Sequence, residues 1–560
     1  MKIAGLAGNR GRNLLTIAER APGGASLSVV LSDSPDAPVV EAAAERGIPT
    51  ETVVPAADED RRAHDRRVVE ALSGYDFDLV CLDGYMRILS DAFLDAMPTT
   101  LNVHPSLLPS FPGADAHEQV LEAGVAVTGC TVHVVTNAVA DDGSILHEAV
   151  DGGPVVTQEP VPVFGDDDPA TLKRRVLHEG EFVAYPRAVR WFADGRVEVR
   201  REDGEPVAVA VAGDDAGDAE GAAGGDAVGD ADAGDGPDGF RARRFDPAER
   251  VARLRYGENP HQDAALYDRP TGEPSVVGAP QLNAGAKALS YNNYNDADAA
   301  LDLIREFDAP AAAVIKHTNP AGCATADALV DAYERALATD PMSAFGGVVA
   351  LNRECDAATA AAVVDSFKEV VVAPGYTDDA LATLGERENL RVLAVDDIDG
   401  RPPARVHKPL TGGLLIQDRD VWQPTADDLE VVTERSPTDE EVETMLFSWR
   451  VLRHVRSNGI VLASGTETVG VGMGQVSRVD AVRLAAMKAD EHAEEKGAEG
   501  AVMASDAFFP FRDGVDRAAE AGVAAVVQPG GSRNDDEVIG AADEHGMAMA
   551  FTGHRCFRHD

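Results

Sequence analysis

KIAGLAGNRGRNLL, residues Lys2 to Leu15, is a short apolar run that breaks on glycine and resumes with helical spacing. The first part has the length and composition of a buried strand. Gly8 to Leu15 reads as a glycine turn opening a helix. The alternation continues outward. SLSVVLSD (Ser26 to Asp33), DLVCLDG (Asp78 to Gly84) and TLNVHP (Thr100 to Pro105) read as strands. RNLLTIAERA, DAPVVEAAAERG and DRRAHDRRVVEALSG between them read as helices. Strands separated by helical segments describe an open, mostly parallel α/β sheet, in which ligands lie beyond the carboxyl ends of the strands. Chemistry is therefore expected in the loops after the strands ending near Gly8, Gly84 and His104.

The chain has 560 residues, too many for one hydrophobic core, so two or three domains are expected. From Asp203 to Asp238 the sequence is almost entirely Gly, Ala, Asp, Glu and Val. Such a segment buries too little apolar surface to offset its ordering entropy, and 203–238 reads as an acidic disordered linker between domains at 1–202 and 239–560. The second domain is also mixed α/β, with AAAVIKH (Ala311 to His317), EVVVAP (Glu369 to Pro374) and GIVLASG (Gly459 to Gly465) as strands. No internal repeat is visible in the sequence. The scattered cysteines, Cys81, Cys130, Cys323, Cys355 and Cys556, predict free thiols rather than a metal site or disulfides.

A formal charge of -46 argues against broad binding to nucleic acid or an anionic membrane. Acidity spread over the surface with few lysines is what a salty cytosol tolerates, so a halophilic, cytoplasmic protein is expected. In such a chain a basic cluster is a better candidate for holding an anion. No segment is apolar for long enough to span a bilayer.

Three places carry candidate chemistry. At Gly8 to Leu15, backbone N–H groups at a helix start, with Arg10 and Arg12, suit a phosphate, although a tight turn with solvated arginines has the same pattern. At Asn102 and His104 an amide and an imidazole share one face of a strand end; with a carboxylate partner the ring becomes a proton shuttle and the amide an oxyanion donor. At Lys316 and His317 an apolar strand delivers two groups into a loop, where they can flank a substrate; a strand-end lysine and a capping histidine is the other reading.

LNVHPSLLPSFPG (Leu101 to Gly113), GYMRIL, TGCTVHVVT, VDGGPVVTQ and AYPRAVRWFADGRV occur in an order that resembles the folate-dependent formyltransferase acting on phosphoribosylglycinamide, from Met1 to about Val199. The resemblance implies a Rossmann-like domain with Asn102 and His104 as catalytic groups. It makes Asp151 the carboxylate that raises the histidine pKa, Met86, Arg87, Ile88 and Leu89 the folate contact, and Gly11 and Asn13 the phosphate lining. Arg12 stands where that family usually has a small serine, and Asp115 where a histidine is common. The segment NAVADDGSILHEAV is longer than the family's and supplies Asp141 and Asp142 as rival carboxylates; Asp151 is preferred for its Asp-Gly-Gly-Pro context.

LRYGENPHQ (Leu254 to Gln262), DPMSAFGGVVAL, VRSNGIVLASG, VGMGQVSRVDAVRLA, SDAFFPFRDGVD and FTGHRCFRH resemble the transformylase that acts on phosphoribosyl-aminoimidazole-carboxamide, from about Arg241 onward. That resemblance implies a cytidine deaminase-like fold, Lys316 and His317 as catalytic groups and Asn458 as an assistant. Arg255, Tyr256, Arg478 and Arg555 would hold the nucleotide, with Phe508 and Phe557 packing on its base or on the folate. Core packing is the alternative for both phenylalanines. The family's cyclohydrolase domain is not found in this sequence, so no ring closure to inosine monophosphate is expected.

Together the resemblances imply a bifunctional enzyme of purine biosynthesis. It would take formyl groups from 10-formyltetrahydrofolate, use no metal, bind phosphoribosyl compounds and folate rather than nucleic acid or membrane, and form a homodimer through the C-terminal domain. In the alternative, only the C-terminal half is an active transformylase and the N-terminal half is a formyl-folate hydrolase or a decayed binding module. An acceptor on transfer RNA fits poorly with the acidity.

Overall fold

A computed structural model describes residues 1–140, 142–202, 204–212, 248–269, 273–283, 286–396, 398, 400 and 403–559. The chain divides into two units, Met1–Arg244 and Phe245–Asp560.

In the first unit the alternation read from the sequence produces β1 (Lys2–Leu6), α1 (Arg12–Arg20), β2 (Ser26–Ser32), α2 (Pro38–Glu45), β3 (Thr50–Thr52), α3 (Arg61–Leu72), β4 (Leu79–Leu82), β5 (Thr100–His104), β6 (Val127–Val134) and β7 (Val155–Pro162). These strands form one sheet in the order β3-β2-β1-β4-β5-β6-β7. The pairs from β3 to β5 are parallel, whereas β6 and β7 pair antiparallel. The order reverses direction between β1 and β4, the switch point at which a crevice opens in such sheets. Val and Leu side chains of the central strands are buried on both faces, as parallel strands covered by helices require.

The expected linker begins too early. Glu205–Val211 is a strand, β9, paired antiparallel with β8 (Val197–Glu202). The reason is the alternation in EPVAVAV: Val209 and Val211, with Val197 and Val199, pack against the core of the first unit. Residues 203 and 213–238, the rest of the expected linker, lie outside the described residues.

The second unit holds a mixed sheet of eleven strands. Ala311–Lys316 and Asn319–Thr325 form a hairpin, after which Val348–Leu351, Val370–Ala373 and Arg391–Ala394 run parallel to one another. Ile460–Ser464 and Glu467–Gly472 form a second hairpin, followed by Val502–Ser505, Ala525–Gln528 and Ala548–Phe551, again parallel. The hairpins meet where Ala324 opposes Glu467. A helix precedes each hairpin, Tyr291–Ile304 and Asp439–Leu452. The same order of elements therefore occurs twice, a structural repeat that the sequence does not show. It is carried by apolar pattern and chain direction, which many sequences satisfy.

All five cysteines are buried and unpaired. Among the described residues no helix is long and apolar enough to cross a membrane.

Candidate functional site

The first site lies at the carboxyl ends of β1, β4 and β5. His104 ends β5 and is 4% exposed. Its Nδ1 is 3.2 Å from Asp151 Oδ2, and its Nε2 is 2.8 Å from the Phe111 carbonyl oxygen. Both nitrogens thus face acceptors, a geometry that only an imidazolium satisfies in full. Burial opposes that charge more strongly than Asp151 supports it, and the pKa of His104 lies below its ordinary value. The effect expected of Asp151, to raise this pKa, is present, but the net shift is downward. Asp151 works in that direction, and desolvation of the ring outweighs it.

Asp151 is held in the left-handed region, φ 56°, and its Oδ2 accepts the Gly113 N–H at 2.9 Å. Burial pushes its carboxyl up. Contact with His133, the His104 ring and the Gly113 N–H outweigh that and hold it below the usual carboxylate range. His133, on β6 opposite Asn102, completes a network. Its Nε2 lies 3.2 Å from Asn102 Nδ2 and 3.6 Å from Asp151 Oδ1. With Nδ1–H given to the Val134 carbonyl at 3.2 Å, Nε2 is left to accept from Asn102, whose second amide N–H stays available to an oxyanion. His133 lies inside the motif TGCTVHVVT, which gave it no task in the sequence; facing Asn102 across an antiparallel pair is a non-local relation. The rival Asp142 accepts from Ser144 within an exposed turn. Asp141 lies outside the described residues.

The glycine turn expected ahead of α1 exists: Gly11 has φ 54°, and a Cβ there would meet Val39 Cγ2 at 2.3 Å, so glycine is required. Asn13, however, is turned inward and 1% exposed. Its backbone N–H and side-chain amide donate to Asp83 at 2.7 and 3.1 Å, and the amide also donates to Glu181 at 2.6 Å. Burial pushes the Glu181 carboxyl up to about 7. Glu181 closes a single π-helical turn, Val176–Glu181, ahead of helix Phe182–Ala193. Met86 is 76% exposed at the mouth of the crevice, and Arg87 and Ile88 are half-buried. Leu89 is packed in the core, so of the expected folate stretch its side chain is the one that faces away from solvent.

In the second unit Lys316 ends the first hairpin strand, and its Nζ donates to the Phe345 carbonyl at 2.8 Å. His317 and Thr318 adopt φ 52° and 62°, held by Asp296, which accepts both backbone N–H groups at 3.3 and 2.7 Å. Asn319 Oδ1 accepts the Arg456 N–H at 3.1 Å, which brings this turn to Asn458. Asn458 gives its amide to Gln475 and Val476 carbonyls at 2.8 and 3.0 Å and accepts from Arg478 at 2.7 Å.

Arg478, expected on the nucleotide, is engaged within the chain. It pairs with the fully buried Asp506 and donates to Ser505 at 2.9 Å. The C-terminal tail is tied to the same place, Arg558 O accepting from Ser457 N at 2.9 Å and Asp506 O from Cys556 N at 3.1 Å. Phe557 is exposed there beneath Arg555, whose guanidinium carbon lies 5.4 Å from the ring centroid. Phe508 is half-buried while Phe509 fills the core. Arg255 and Tyr256 contact each other at 3.1 Å, and among the described residues no hydrogen bond ties them to the Lys316 turn. Asp296 and Asp506, acids that position the catalytic candidates, went unremarked in the sequence; each acts on residues far along the chain.

The profile of the formyl transferase family matches residues 1–189, and that of the AICARFT/IMPCHase bienzyme family residues 235–488. Over 315 residues the chain is 51% identical to the bifunctional purine biosynthesis protein PurH of Roseobacter denitrificans, covering 55% of this chain and 59% of that protein. It is 52% identical over 321 residues to the PurH of Magnetococcus marinus, 56% and 60% being covered. The chain thus spans about six-tenths of the length of these curated relatives. Among solved structures, glycinamide ribonucleotide transformylase 1 of Symbiobacterium toebii is 40% identical, with 38% of this chain and 93% of that one covered and a TM-score of 0.33. The phosphoribosylglycinamide formyltransferase of Anaplasma phagocytophilum is 33% identical, with 38% and 96% covered and the same TM-score, 0.33. Residues 1–189 are therefore similar to the formyl transferases, and residues 235–488 to the AICARFT/IMPCHase bienzymes.

Proposed function

We propose that this chain is a bifunctional formyltransferase of purine biosynthesis. Its first unit formylates phosphoribosylglycinamide and its second phosphoribosyl-aminoimidazole-carboxamide, both from 10-formyltetrahydrofolate. The observation that carries the reading is the continuous network Asn102, His133, Asp151 and His104 at the carboxyl end of β5. The substrate amine attacks the formyl carbon and a tetrahedral oxyanion forms, which the free N–H of Asn102 stabilises. His104, kept neutral by burial, accepts the proton that the amine loses. Asp151 supports the imidazolium that results, and the proton passes to the departing folate nitrogen. One carbon–nitrogen bond forms and one breaks, with no change in oxidation state. A decayed module has no need to keep this network.

In the second unit Lys316 and His317 protrude from a turn that Asp296 holds, beside Asn458. The carboxamide substrate's amine is conjugated with an aromatic ring and is a poor nucleophile, which fits a site with a cationic lysine as well as a histidine. We read Arg255, Tyr256 and Arg555 as its nucleotide contacts, Phe508 and Phe557 as packing surfaces, and Arg478 as the support of Asn458. The repeated order of elements supports a cytidine deaminase-like reading of this unit. The acidic surplus supports a salt-rich cytoplasm, and the exposed Met342, Phe345 and Val476 support a homodimer through this unit. With residues 1–189 matched to formyl transferases, we assign no ring closure to the chain.

The test is formylation of each acceptor by the intact chain in concentrated KCl, followed by mass spectrometry of the products. Both acceptors should gain a formyl group. Formate release without an acceptor would instead make the first unit a hydrolase, and a silent first unit would defeat the bifunctional reading.

A further inference from the structure

Asp83 follows β4, beneath the turn that joins β1 to α1, and is 8% exposed. It does more than cap a helix. Oδ2 accepts the N–H groups of Asn13 and Leu14 at 2.7 and 3.4 Å, and Oδ1 accepts the Asn13 amide at 3.1 Å. The N–H groups that an anion approaching α1 would be expected to meet are therefore already committed to a carboxylate of the chain itself. Glu181, on the other side of Asn13, adds a second buried acid. A phosphate at this turn faces two acids behind the loop. Burial pushes the Asp83 carboxyl up, and the hydrogen bonds from Asn13 and Leu14 and the charge of Arg12 oppose that. Arg12, next to the Asn13 whose N–H Asp83 accepts, is the exposed first residue of α1, is what remains outward, and makes no ion pair among the described residues.

We propose that Asp83 is a positioning residue of the phosphate turn and Arg12 its charge partner, the pair setting how tightly the first unit holds the phosphomonoester of its acceptor. The inference rests on the reading of that unit as a formyltransferase acting on phosphoribosylglycinamide. It accounts for an arginine at position 12. A neutral side chain there would leave the phosphate to face an uncompensated carboxylate across a short stretch of low dielectric, where charges are weakly screened. Asp83 fixes the backbone, and Arg12 offsets the field that this fixing creates.

The test is a double-mutant cycle on the intact chain at fixed salt with Arg12→Ser, Asp83→Asn and the combination. The readouts are kcat and KM for phosphoribosylglycinamide and the inhibition constant of inorganic phosphate against that reaction. Arg12→Ser should raise KM and the inhibition constant about tenfold and leave kcat within about threefold; in the Asp83→Asn background the same change should cost less than about threefold. Carboxamide formylation, carried by the second unit, should not move, and the circular dichroism of each variant against that of the unsubstituted chain reports folding of the first. Effects that simply multiply would overturn the pairing. So would a kcat loss without a KM change in Asp83→Asn, which marks a purely structural acid. If Asp83→Asn does not fold, Arg12→Lys decides: it should keep KM within about threefold of the original, and a lysine that behaves like serine refutes the charge argument. An unsubstituted chain that never formylates phosphoribosylglycinamide refutes the functional reading together with this inference, whereas an active chain with multiplying effects refutes the inference alone.

Discussion

Replacing Asp151 by asparagine keeps the volume of the side chain and removes its charge. In the structure one carboxylate serves the Gly113 N–H at 2.9 Å, His104 Nδ1 at 3.2 Å and His133 Nε2 at 3.6 Å. An asparagine can still accept from Gly113, but it meets the two rings as a neutral partner. The difference between a charge-assisted and a neutral hydrogen bond is about 1.5 kcal/mol. Only the His104 ring donates to this carboxylate, His133 Nε2 being an acceptor 3.6 Å away, so the change gives about 1.5 kcal/mol in the state where His104 carries the proton, or roughly tenfold in kcat. KM should change little, because no substrate contact is removed, and carboxamide formylation should be untouched. The pH profile has a definite sign. His104 accepts a proton only when neutral, so kcat/KM rises as pH climbs through its pKa. Asp151 is the group that holds this pKa up against burial, so the acidic limb should move to lower pH in the variant. Stopped-flow or absorbance assays of folate turnover from pH 5 upward measure both quantities. A loss under threefold, a limb that moves upward, or an equal loss from Asp142→Asn would refute the assignment.

Other consequences are open to measurement. His104→Ala should abolish glycinamide formylation alone, and Lys316→Ala or His317→Ala carboxamide formylation alone; loss of both activities from any one change would contradict independent sites. Arg478→Ala strands the fully buried Asp506 and should lower stability by about 3 kcal/mol in denaturant melts, with little effect expected from the exposed Arg483→Ala. His64 is fully buried with neither ring nitrogen hydrogen-bonded, and burial lowers its pKa. The unfolded chain therefore takes up this proton first, and stability falls as pH drops below the ordinary histidine value. His64→Phe should flatten that fall and raise the melting temperature at pH 5.5 more than at pH 8; an equal shift at both would remove the titration argument. With a net charge of -46, the melting temperature should climb as KCl is added, and a flat response would sink the halophile reading.

The sheet of the first unit was legible because burial on both faces writes itself as short apolar runs, as in DLVCLDG and TLNVHP. Asn102, His104 and Asp151 were legible from local pattern together with resemblance. Residues 205–211 were missed because their small, acidic neighbours masked a period of two that Val207, Val209 and Val211 display. Asp83 stood in plain view as an acid just after an apolar strand, the same kind of signal that singled out Lys316, but Glu181, the second acid that Asn13 serves, lies about a hundred residues away. The direction of the His104 pKa was not legible at all. It depends on how much water the folded loops exclude, and neighbouring residue types do not report that.

The two hairpins of the second unit sit side by side because its order of elements is repeated, and this has a bearing on how activity arises. Lys316 and His317 come from the first copy and Asn458 from the approach to the second, so neither copy holds a complete set of catalytic candidates. During refolding, helix content and burial of Trp449 can recover while the copies are still separate. Carboxamide formylation should return last, at the rate at which Ala324 finds Glu467, which makes enzymatic turnover the reporter of docking between the halves.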